Sequence, residues 1–174
     1  MRIAIAGKMC SGKSTIANMI AQYNSNYKIY SFGQKIKDIA IELFNMKQKD
    51  RSLLVQIGGH MREIDNNVWT DYLMKTIRNT ENCVIDDLRY QNELENCLQN
   101  DFKIIQLVIS KEEQIKRIKK LYPKNFNDHI KNLNHISEAQ MFDFKGQKPY
   151  LILDTSKLSN REIKHELYLF LTKN

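Results

Sequence analysis

The segment from residue 7 to residue 14 limits the possible folds of this chain more than any other stretch. It reads GKMCSGKS and matches the spacing G-x-x-x-x-G-K-[ST]. A short apolar run at residues 3–6 precedes it, and a pattern of helical periodicity follows at residues 14–22. Strand, glycine-rich turn and helix in this order are the context of a phosphate-binding loop (P-loop). In such a loop, glycines let successive backbone N–H groups turn toward phosphate oxygens.

The side chains of the P-loop indicate how a nucleotide is held. Lys13 would bring a positive charge to the β- and γ-phosphates, and the hydroxyl of Ser14 would bind Mg²⁺. The helix that follows adds the positive end of its dipole. A glycine-rich turn that binds nothing is the alternative, and the strand before the motif argues against it. The predicted nucleotide-binding residues are Gly7, Lys8, Met9, Cys10, Ser11, Gly12, Lys13, Ser14 and Thr15.

Composition narrows the class of protein. The 174 residues suit one domain, 42% of them are hydrophobic, and no apolar run is long enough to span a membrane. The three cysteines show no metal-binding spacing, and the P-loop lies so close to Met1 that no leader peptide is expected before it. Both observations predict a cytoplasmic location. The formal net charge of +7 suggests an anionic partner, either nucleic acid or a small phosphorylated molecule.

Strand patterns alternate with helix patterns along the whole sequence. This order predicts an α/β protein with the three-layer P-loop NTPase fold, in which a five-stranded parallel sheet carries helices on both faces and a mobile lid is added. We expect one domain over residues 1–174, with an acceptor-binding helical region near 33–80 and a lid near 117–140. Predicted strands lie at residues 1–6, 28–32, 83–85, 102–109 and 150–153. Predicted helices lie at residues 14–22, 35–44, 51–64 with an interruption at Gly58 and Gly59, 68–77, 93–98, 111–121, 137–142 and 158–171.

Two carboxylates follow the third predicted strand. In open parallel sheets, ligands gather beyond the C-terminal ends of the strands, so Asp86 and Asp87 should lie near the P-loop. A carboxylate in this position commonly holds Mg²⁺, and we predict Ser14 and Asp87 as the metal-binding pair. An aspartate cap on the next helix is the alternative. Arg89 can form two parallel hydrogen bonds to a phosphate, or it can be a surface arginine paired with Glu93.

Further basic residues occur in two other regions. Arg51 and Arg62 flank a helical stretch with a glycine pair, which indicates either close approach of a ligand or a kinked helix with two solvated arginines. Lysines and Arg117 lead into an aperiodic segment at residues 122–135, a pattern that suits a lid closing over transferring phosphates. A solvated basic helix is the alternative. Within this region Arg117 is the preferred lid residue, and a structural role is favoured for His135.

Taken together, four stretches and one short motif resemble deoxynucleoside monophosphate kinases of the phage and large-DNA-virus type. The short motif, at residues 135–138, is similar to the family's H-x-S-E. Departures are Gly33 for alanine, Gln91 for a common proline, and Thr155 where asparagine is expected. The four stretches are the P-loop, SFGQKIK at residues 31–37, RSLLVQIG from residue 51 with Arg62, Asp65 and Trp69 beyond it, and DDLRYQNE at residues 86–93.

The resemblance implies transfer of the γ-phosphate of ATP, with Mg²⁺, to a deoxynucleoside 5′-monophosphate. It also implies a homodimer, for which the apolar helix at residues 68–77 is a candidate surface, and it implies host cytoplasm if the source is viral. No stable binding to nucleic acid or membrane is expected. The implied catalytic residues are Lys13, Asp87, Arg89 and Arg117. The implied substrate-binding residues are Lys35, Arg51, Gln56, Arg62, Asp65, Trp69, Asp87, Arg89 and Glu138.

Rival functions remain open on the sequence. Phosphomevalonate kinases of the animal type share the fold, the loop and an H-x-S-E-like motif, and dephospho-coenzyme A is another phosphorylated acceptor. The net charge of +7 motivates a nucleic-acid-stimulated NTPase. A regulatory nucleotide-binding module without turnover is a third class, against which Lys13, Ser14 and Asp87 argue.

Overall fold

The computed structural model describes residues 1–133, 135, 142–144, 146 and 149–173. Within these residues, strands and helices alternate along most of the chain. The strands are β1 Arg2–Ala6, β2 Lys28–Tyr30, β3 Cys83–Leu88, β4 Lys103–Val108 and β5 Leu151–Asp154. The helices are α1 Lys13–Tyr23, α2 Gln34–Phe44, α3 Arg51–Ile64, α4 Val68–Ile77, α5 Gln91–Gln99, α6 Lys111–Leu121, α7 Phe126–Lys131 and α8 Asn160–Lys173.

The five strands form one parallel sheet in the order β2-β3-β1-β4-β5. Strand β1 is central, and its residue Ile3 pairs with Val84 of β3 on one side and with Lys103 of β4 on the other. The P-loop follows the C-terminal end of β1, which lies between β3 and β4. Open α/β sheets bind their ligands beyond the C-terminal ends of such central strands. This arrangement places the P-loop at the middle of the sheet edge and confirms the predicted α/β fold.

Alternation along β1 explains the three layers. Ile3 and Ile5 pack on one face of the sheet with Ile16 of α1 and Leu167 of α8, while Ala4 and Ala6 belong to the opposite face. On that second face, residues of α4 and α5 complete a core with residues of β3 and β4. Since successive side chains of a strand point to opposite faces, an unbroken apolar strand is what a sheet covered on both sides requires.

Helices α2, α3 and α4 form a third apolar cluster beside the sheet. Helix α3 runs without a break through Gly58 and Gly59, where the sequence suggested an interruption. A side-chain carbon at Gly58 would lie 3.2 Å from Ile36 Cδ1 and 3.2 Å from Arg62 Nη1. The missing side chain therefore lets α2 approach α3 closely.

Other segments differ from the sequence-based expectation. Strand β3 continues to Leu88, so the two aspartates lie within the strand instead of after it. Helix α7 occupies part of the segment that showed no periodicity. Most of the helix predicted at residues 137–142 lies outside the described residues. No helix in the described part of the chain combines the length and the apolar character needed to cross a bilayer.

Candidate functional site

The P-loop has the backbone conformation of an anion-binding nest. Gly7 and Gly12 have φ of 154° and 100°, and Cys10 between them has φ of 60°. A side chain at Gly7 would place its Cβ 2.7 Å from Ser11 Oγ and 3.0 Å from the carbonyl oxygen of Leu107. Because positive φ and the lack of space both exclude a Cβ, glycine is required at this position. The turn leads directly into α1, which begins at Lys13, and the first N–H groups of a helix are available to bind an anion.

Lys13 begins α1 and lies across the mouth of the loop. Its side chain is buried, and Nζ donates to the carbonyl oxygens of Gly7 at 2.6 Å and Lys8 at 2.8 Å. The ammonium group is therefore held on the loop by the loop's own backbone. Together with the helix N-terminus, it provides the positive potential that a nucleotide polyphosphate needs.

The two aspartates of β3 have different partners. Ser14 Oγ donates to Asp86 Oδ2 at 2.6 Å, and the Ser31 hydroxyl donates to the other oxygen of the same carboxylate. Asp87 instead accepts from the backbone N–H groups of Phe32 at 2.7 Å and Gly33 at 2.9 Å. Neighbouring residues of a strand face opposite ways, so only one of the two can meet Ser14. The predicted partner of Ser14 was Asp87, and the structure pairs Ser14 with Asp86.

The environment of Asp87 raises the pKa of its carboxyl. Burial raises the pKa of this carboxyl, and the neighbouring Asp86 raises it further. The N–H groups of Gly33 and Phe32, and the charge of Arg89, oppose that shift in part. Asp87 therefore anchors the backbone at the start of α2, whereas Asp86 offers its carboxylate beside the P-loop hydroxyl.

A cavity of about 740 Å³ is lined both by the P-loop and by Arg51, Arg62 and Arg89. It lies along the C-terminal edge of the sheet, and its wall has many more cationic than acidic side chains. A deep cleft with convergent cations is a general feature of sites for phosphorylated ligands. The charged residues that line it are Lys13, Lys37, Lys49, Arg51, Arg62, Asp86, Asp87, Arg89, Glu93, Arg117 and Lys120.

Glu93 organises the arginine side of this cavity. The carboxylate is buried, and Oε2 accepts from the backbone N–H groups of Arg89 at 2.8 Å and Tyr90 at 3.0 Å. Oε1 accepts from Arg62 Nη2 at 3.3 Å, and the Arg62 guanidinium lies 3.9 Å from the centre of the Tyr90 ring. Burial, followed by the charge of Asp87, raises the pKa of Glu93 to about 7. Sequence reasoning treated Glu93 only as a possible partner of Arg89.

Helix α7 is held against the start of α3. The Asp128 carboxylate accepts from the backbone N–H of Arg51 at 2.9 Å and from Ser52 Oγ at 2.5 Å. Asn125 Nδ2 donates to the carbonyl oxygen of Lys49 at 2.9 Å. Helix α7 and Asn125 before it thus support the segment that presents Arg51 to the cavity. A mobile lid over residues 117–140 stays a prediction.

Arg117, the predicted lid residue, contacts the P-loop in the structure. Its Nη1 donates to the carbonyl oxygen of Cys10 at 3.3 Å and to Thr155 Oγ1 at 3.2 Å. Its Nε donates to Glu113 Oε1 at 2.9 Å, one helical turn earlier. Most of the hydrogen-bonding capacity of this guanidinium is therefore directed to residues of the protein, in the wall of the nucleotide side.

Four predicted substrate residues lie away from the wall of the main cavity. Lys35 lines a smaller pocket beside Tyr72, and Lys37, two positions later in α2, lines both that pocket and the main cavity. Gln56 is exposed, and Asp65 is exposed at the end of α3, where its carboxylate accepts from the N–H of Asn67.

Trp69 is the fourth of these residues, and it is part of the core. It is 3% exposed in the apolar cluster of α2, α3 and α4, and Nε1 donates to the carbonyl oxygen of Gly58 at 3.2 Å. Its indole thus fills the space between helices and satisfies its one donor there. Glu138, the last predicted substrate residue, lies outside the described residues.

The fold and the loop together define a P-loop α/β protein, and comparison with known families agrees. A family model described as AAA domain matches residues 3–136, so the chain belongs to that family. No curated protein matches the sequence.

Solved structures with the same fold include several kinases. Shikimate kinase from Aquifex aeolicus vf5 has a TM-score of 0.53 at 21% identity, covering 100% of this chain and 98% of that one. A gluconokinase from Sinorhizobium meliloti 1021 has a TM-score of 0.62 at 15% identity, with coverage of 99% and 91%. Deoxyadenosine kinase from M. mycoides has a TM-score of 0.54 at 17% identity, with coverage of 100% of both chains. At such identities the likeness establishes the P-loop kinase fold.

Proposed function

We propose that the protein is a deoxynucleoside monophosphate kinase that transfers the γ-phosphate of ATP to a deoxynucleoside 5′-monophosphate. One observation carries the proposal. A single cavity is lined at one end by the P-loop with Lys13, and at the other by Arg51, Arg62 and Arg89. A site that brings two phosphorylated substrates together needs positive charge at both ends, because each brings its own negative charge.

On the donor side, the backbone N–H groups of the P-loop and Lys13 would hold the β- and γ-phosphates. Ser14 Oγ and the Asp86 carboxylate, 2.6 Å apart, are oxygen donors of the kind that Mg²⁺ prefers, so they fit this ion. Bound there, Mg²⁺ would neutralise charge on the phosphate oxygens. Phosphoryl transfer needs little covalent help from the protein, so these groups act by position and by electrostatic stabilisation.

On the acceptor side, the arginines would align the attacking phosphate with the γ-phosphate. Arg62 is held by Glu93 and by the carbonyl oxygen of Gly58, at 3.3 Å and 3.0 Å. Glu93 also fixes the backbone at Arg89. A guanidinium whose direction is set before the substrate arrives loses less entropy on binding, which favours in-line attack.

A second candidate is a kinase with a hydroxyl acceptor. The structures of similar fold include kinases named for shikimate, gluconate and deoxyadenosine, which offer hydroxyl groups. Asp87 lines the same cavity, and its raised pKa suits a group that takes a proton from an attacking hydroxyl. A phosphate acceptor needs no such base, so the acceptor panel separates the two functions.

The experiment that tests the proposal is product analysis by chromatography after incubation with ATP and Mg²⁺. Acceptors are the four deoxynucleoside monophosphates, their ribose counterparts, the deoxynucleosides, shikimate, gluconate, phosphomevalonate and dephospho-coenzyme A. We expect diphosphate from at least one deoxynucleoside monophosphate, and a loss of several orders of magnitude in Lys13→Met.

Other outcomes of this panel reject the proposal. Product from deoxynucleosides or sugar acids alone would establish the hydroxyl-acceptor kinase. Product from phosphomevalonate or dephospho-coenzyme A alone would keep the phosphate acceptor but change the substrate. ATP hydrolysis that rises only with added DNA or RNA would indicate a nucleic-acid-stimulated NTPase.

A further inference from the structure

The carbonyl groups of three consecutive P-loop residues, 9 to 11, each accept a hydrogen bond from a side chain outside the loop. Two donors come from α6 and the third follows β5, so elements far apart in sequence converge on one short piece of backbone. The pairs are Gln114 Nε2 to Met9 O at 2.9 Å, Arg117 Nη1 to Cys10 O at 3.3 Å, and Thr155 Oγ1 to Ser11 O at 2.9 Å.

The three donors are themselves held in place. Gln114 and Thr155 are buried, at 4% and 6% exposure. The Arg117 guanidinium donates to Glu113 and to both oxygens of Thr155, and the backbone N–H of Thr155 donates to the carbonyl oxygen of Val108 at 2.9 Å. The Thr155 hydroxyl has a second, longer contact, 3.3 Å to the carbonyl oxygen of Val108, against 2.9 Å to that of Ser11. Donors held by such neighbours favour one direction for each loop carbonyl.

The direction of these carbonyls decides where the N–H groups point. The C=O and the next N–H of a trans peptide lie on opposite sides of the chain, so holding the carbonyls of Met9 and Ser11 turns the N–H groups that follow them toward the phosphate side. The N–H that follows the Cys10 carbonyl, that of Ser11, instead donates to the carbonyl oxygen of Lys8 at 3.2 Å and closes the loop. The same stretch contains Cys10 at φ of 60°, a left-handed conformation that costs a non-glycine residue free energy. Hydrogen bonds on either side of Cys10 offset that cost.

We propose that Gln114, Arg117 and Thr155 form a carbonyl clamp that preorganises the P-loop amides for a polyphosphate. This inference rests on the proposed use of ATP and adds positioning residues to it. The clamp acts through the backbone of residues 9–11, and its three side chains need not touch the phosphates. It assigns to Arg117 a role behind the loop, and to Thr155 the role of linking β5 to the donor site.

The test measures binding of inorganic tripolyphosphate by isothermal titration calorimetry, because this probe reports on the P-loop without a base or an acceptor. Thr155→Val keeps the shape of the side chain and removes the hydroxyl, and Thr155→Ser keeps the hydroxyl. We expect Thr155→Val to weaken binding about fivefold to tenfold, and Thr155→Ser to bind within about twofold of wild type. Gln114→Met, an independent variant of similar volume, should weaken binding by a similar factor.

Two controls separate positioning of the loop from general damage. Ser156 follows Thr155 in the same turn, and its hydroxyl accepts from the backbone N–H of Ser110 at 2.7 Å without reaching the P-loop. Ser156→Ala should therefore bind tripolyphosphate like wild type. In turnover, the clamp variants should raise the KM for ATP while the KM for the acceptor stays within about twofold.

Three other results would refute the clamp, and one of them would also refute the proposed function. If wild type binds tripolyphosphate and the clamp variants bind it equally well, the clamp is refuted and the proposed function stands. If Ser156→Ala weakens binding as much as Thr155→Val, the effect belongs to the turn as a whole and the clamp is again refuted. If wild type itself fails to bind tripolyphosphate, the ATP site of the proposed function is refuted, and the clamp with it.

Discussion

Glu93→Gln should abolish a loss of folding stability that the wild-type protein suffers as pH rises through neutrality. Burial raises the pKa of this carboxyl from 4.5 to about 7, and Asp87 adds to the shift. The N–H groups of Arg89 and Tyr90 and the charge of Arg62 oppose it only in part. Glutamine has nearly the same shape and can still accept a hydrogen bond through its carbonyl oxygen, but it cannot ionise.

The sign follows from proton counting. Between pH 4.5 and about 7, Glu93 is protonated in the folded state and ionised in the unfolded state. Folding therefore takes up a proton in this range, and the contribution of Glu93 is largest below 4.5 and is lost as pH rises through 7. The pKa difference of about 2.5, at about 1.4 kcal/mol for each pKa unit, corresponds to about 3–4 kcal/mol.

Urea denaturation at about pH 5 and about pH 8 measures this contribution. Comparing wild type with Glu93→Gln removes the effect of the other ionisable groups. We expect the wild-type free energy of unfolding to fall by about 2–3 kcal/mol more than that of the variant between the two pH values. Glu42→Gln, at an exposed position of α2, is the matched control and should follow wild type. Identical pH dependence in wild type and Glu93→Gln would show that the pairing with Arg62 outweighs burial.

Three further predictions concern the site and the core. Arg89→Ala should raise the acceptor KM at least about tenfold with an unchanged ATP dissociation constant, since Arg89 lines the proposed acceptor side of the cavity. A loss of ATP affinity alone would refute the assignment of Arg89 to the acceptor. Asp86→Asn should raise the Mg²⁺ concentration needed for half-maximal turnover, because the carboxylate beside Ser14 is lost; an unchanged Mg²⁺ titration would remove Asp86 from the metal site. Trp69→Phe should lower the free energy of unfolding by about 1–2 kcal/mol with near-normal kcat, since the indole hydrogen bond to Gly58 is lost. A large loss of kcat at unchanged stability would indicate that Trp69 contacts the substrate.

The sheet could be predicted from the sequence because its signals are local. The apolar run of β1 and the glycines of the P-loop identify a buried parallel strand and a phosphate-binding turn within a dozen residues. Strands β3, β4 and β5 then follow from short apolar segments between helical patterns. The strand order β2-β3-β1-β4-β5 cannot be predicted from any single segment, because it depends on which crossover connections bury both faces of the sheet.

Residues of the site were harder to place, because their orientation depends on tertiary contacts. Whether Asp86 or Asp87 faces Ser14 depends on the register of β3 near its end. The pairing of β3 with β1 has an irregular register between Ala4 and Ala6 of β1. A shift of one residue in a strand reverses the face of every side chain, so the adjacent aspartates could not be told apart from sequence.

Contacts distant in sequence explain the other differences. Helix α7 is short and shows no periodicity, and it is held by Asp128 on the backbone and hydroxyl of α3. Arg117 was predicted as a lid residue from a basic run before an aperiodic segment and from the family resemblance. Its hydrogen-bond partners in the structure, Cys10 and Thr155, lie 107 and 38 positions away. Such pairings have no signature in a single sequence, because they exist only once the sheet brings the segments together.

In the proposed function, one cavity holds the phosphates of donor and acceptor together. Adenosine joined through five phosphates to each of the four deoxynucleosides would span both positions, and calorimetric titration compares the dissociation constant of each compound with that of ATP. We expect at least one of the four compounds to bind at least about a hundredfold more tightly than ATP, because the second contact becomes intramolecular. Binding of all four no tighter than ATP would contradict it, since the arginine end of the cavity would then hold no acceptor phosphate.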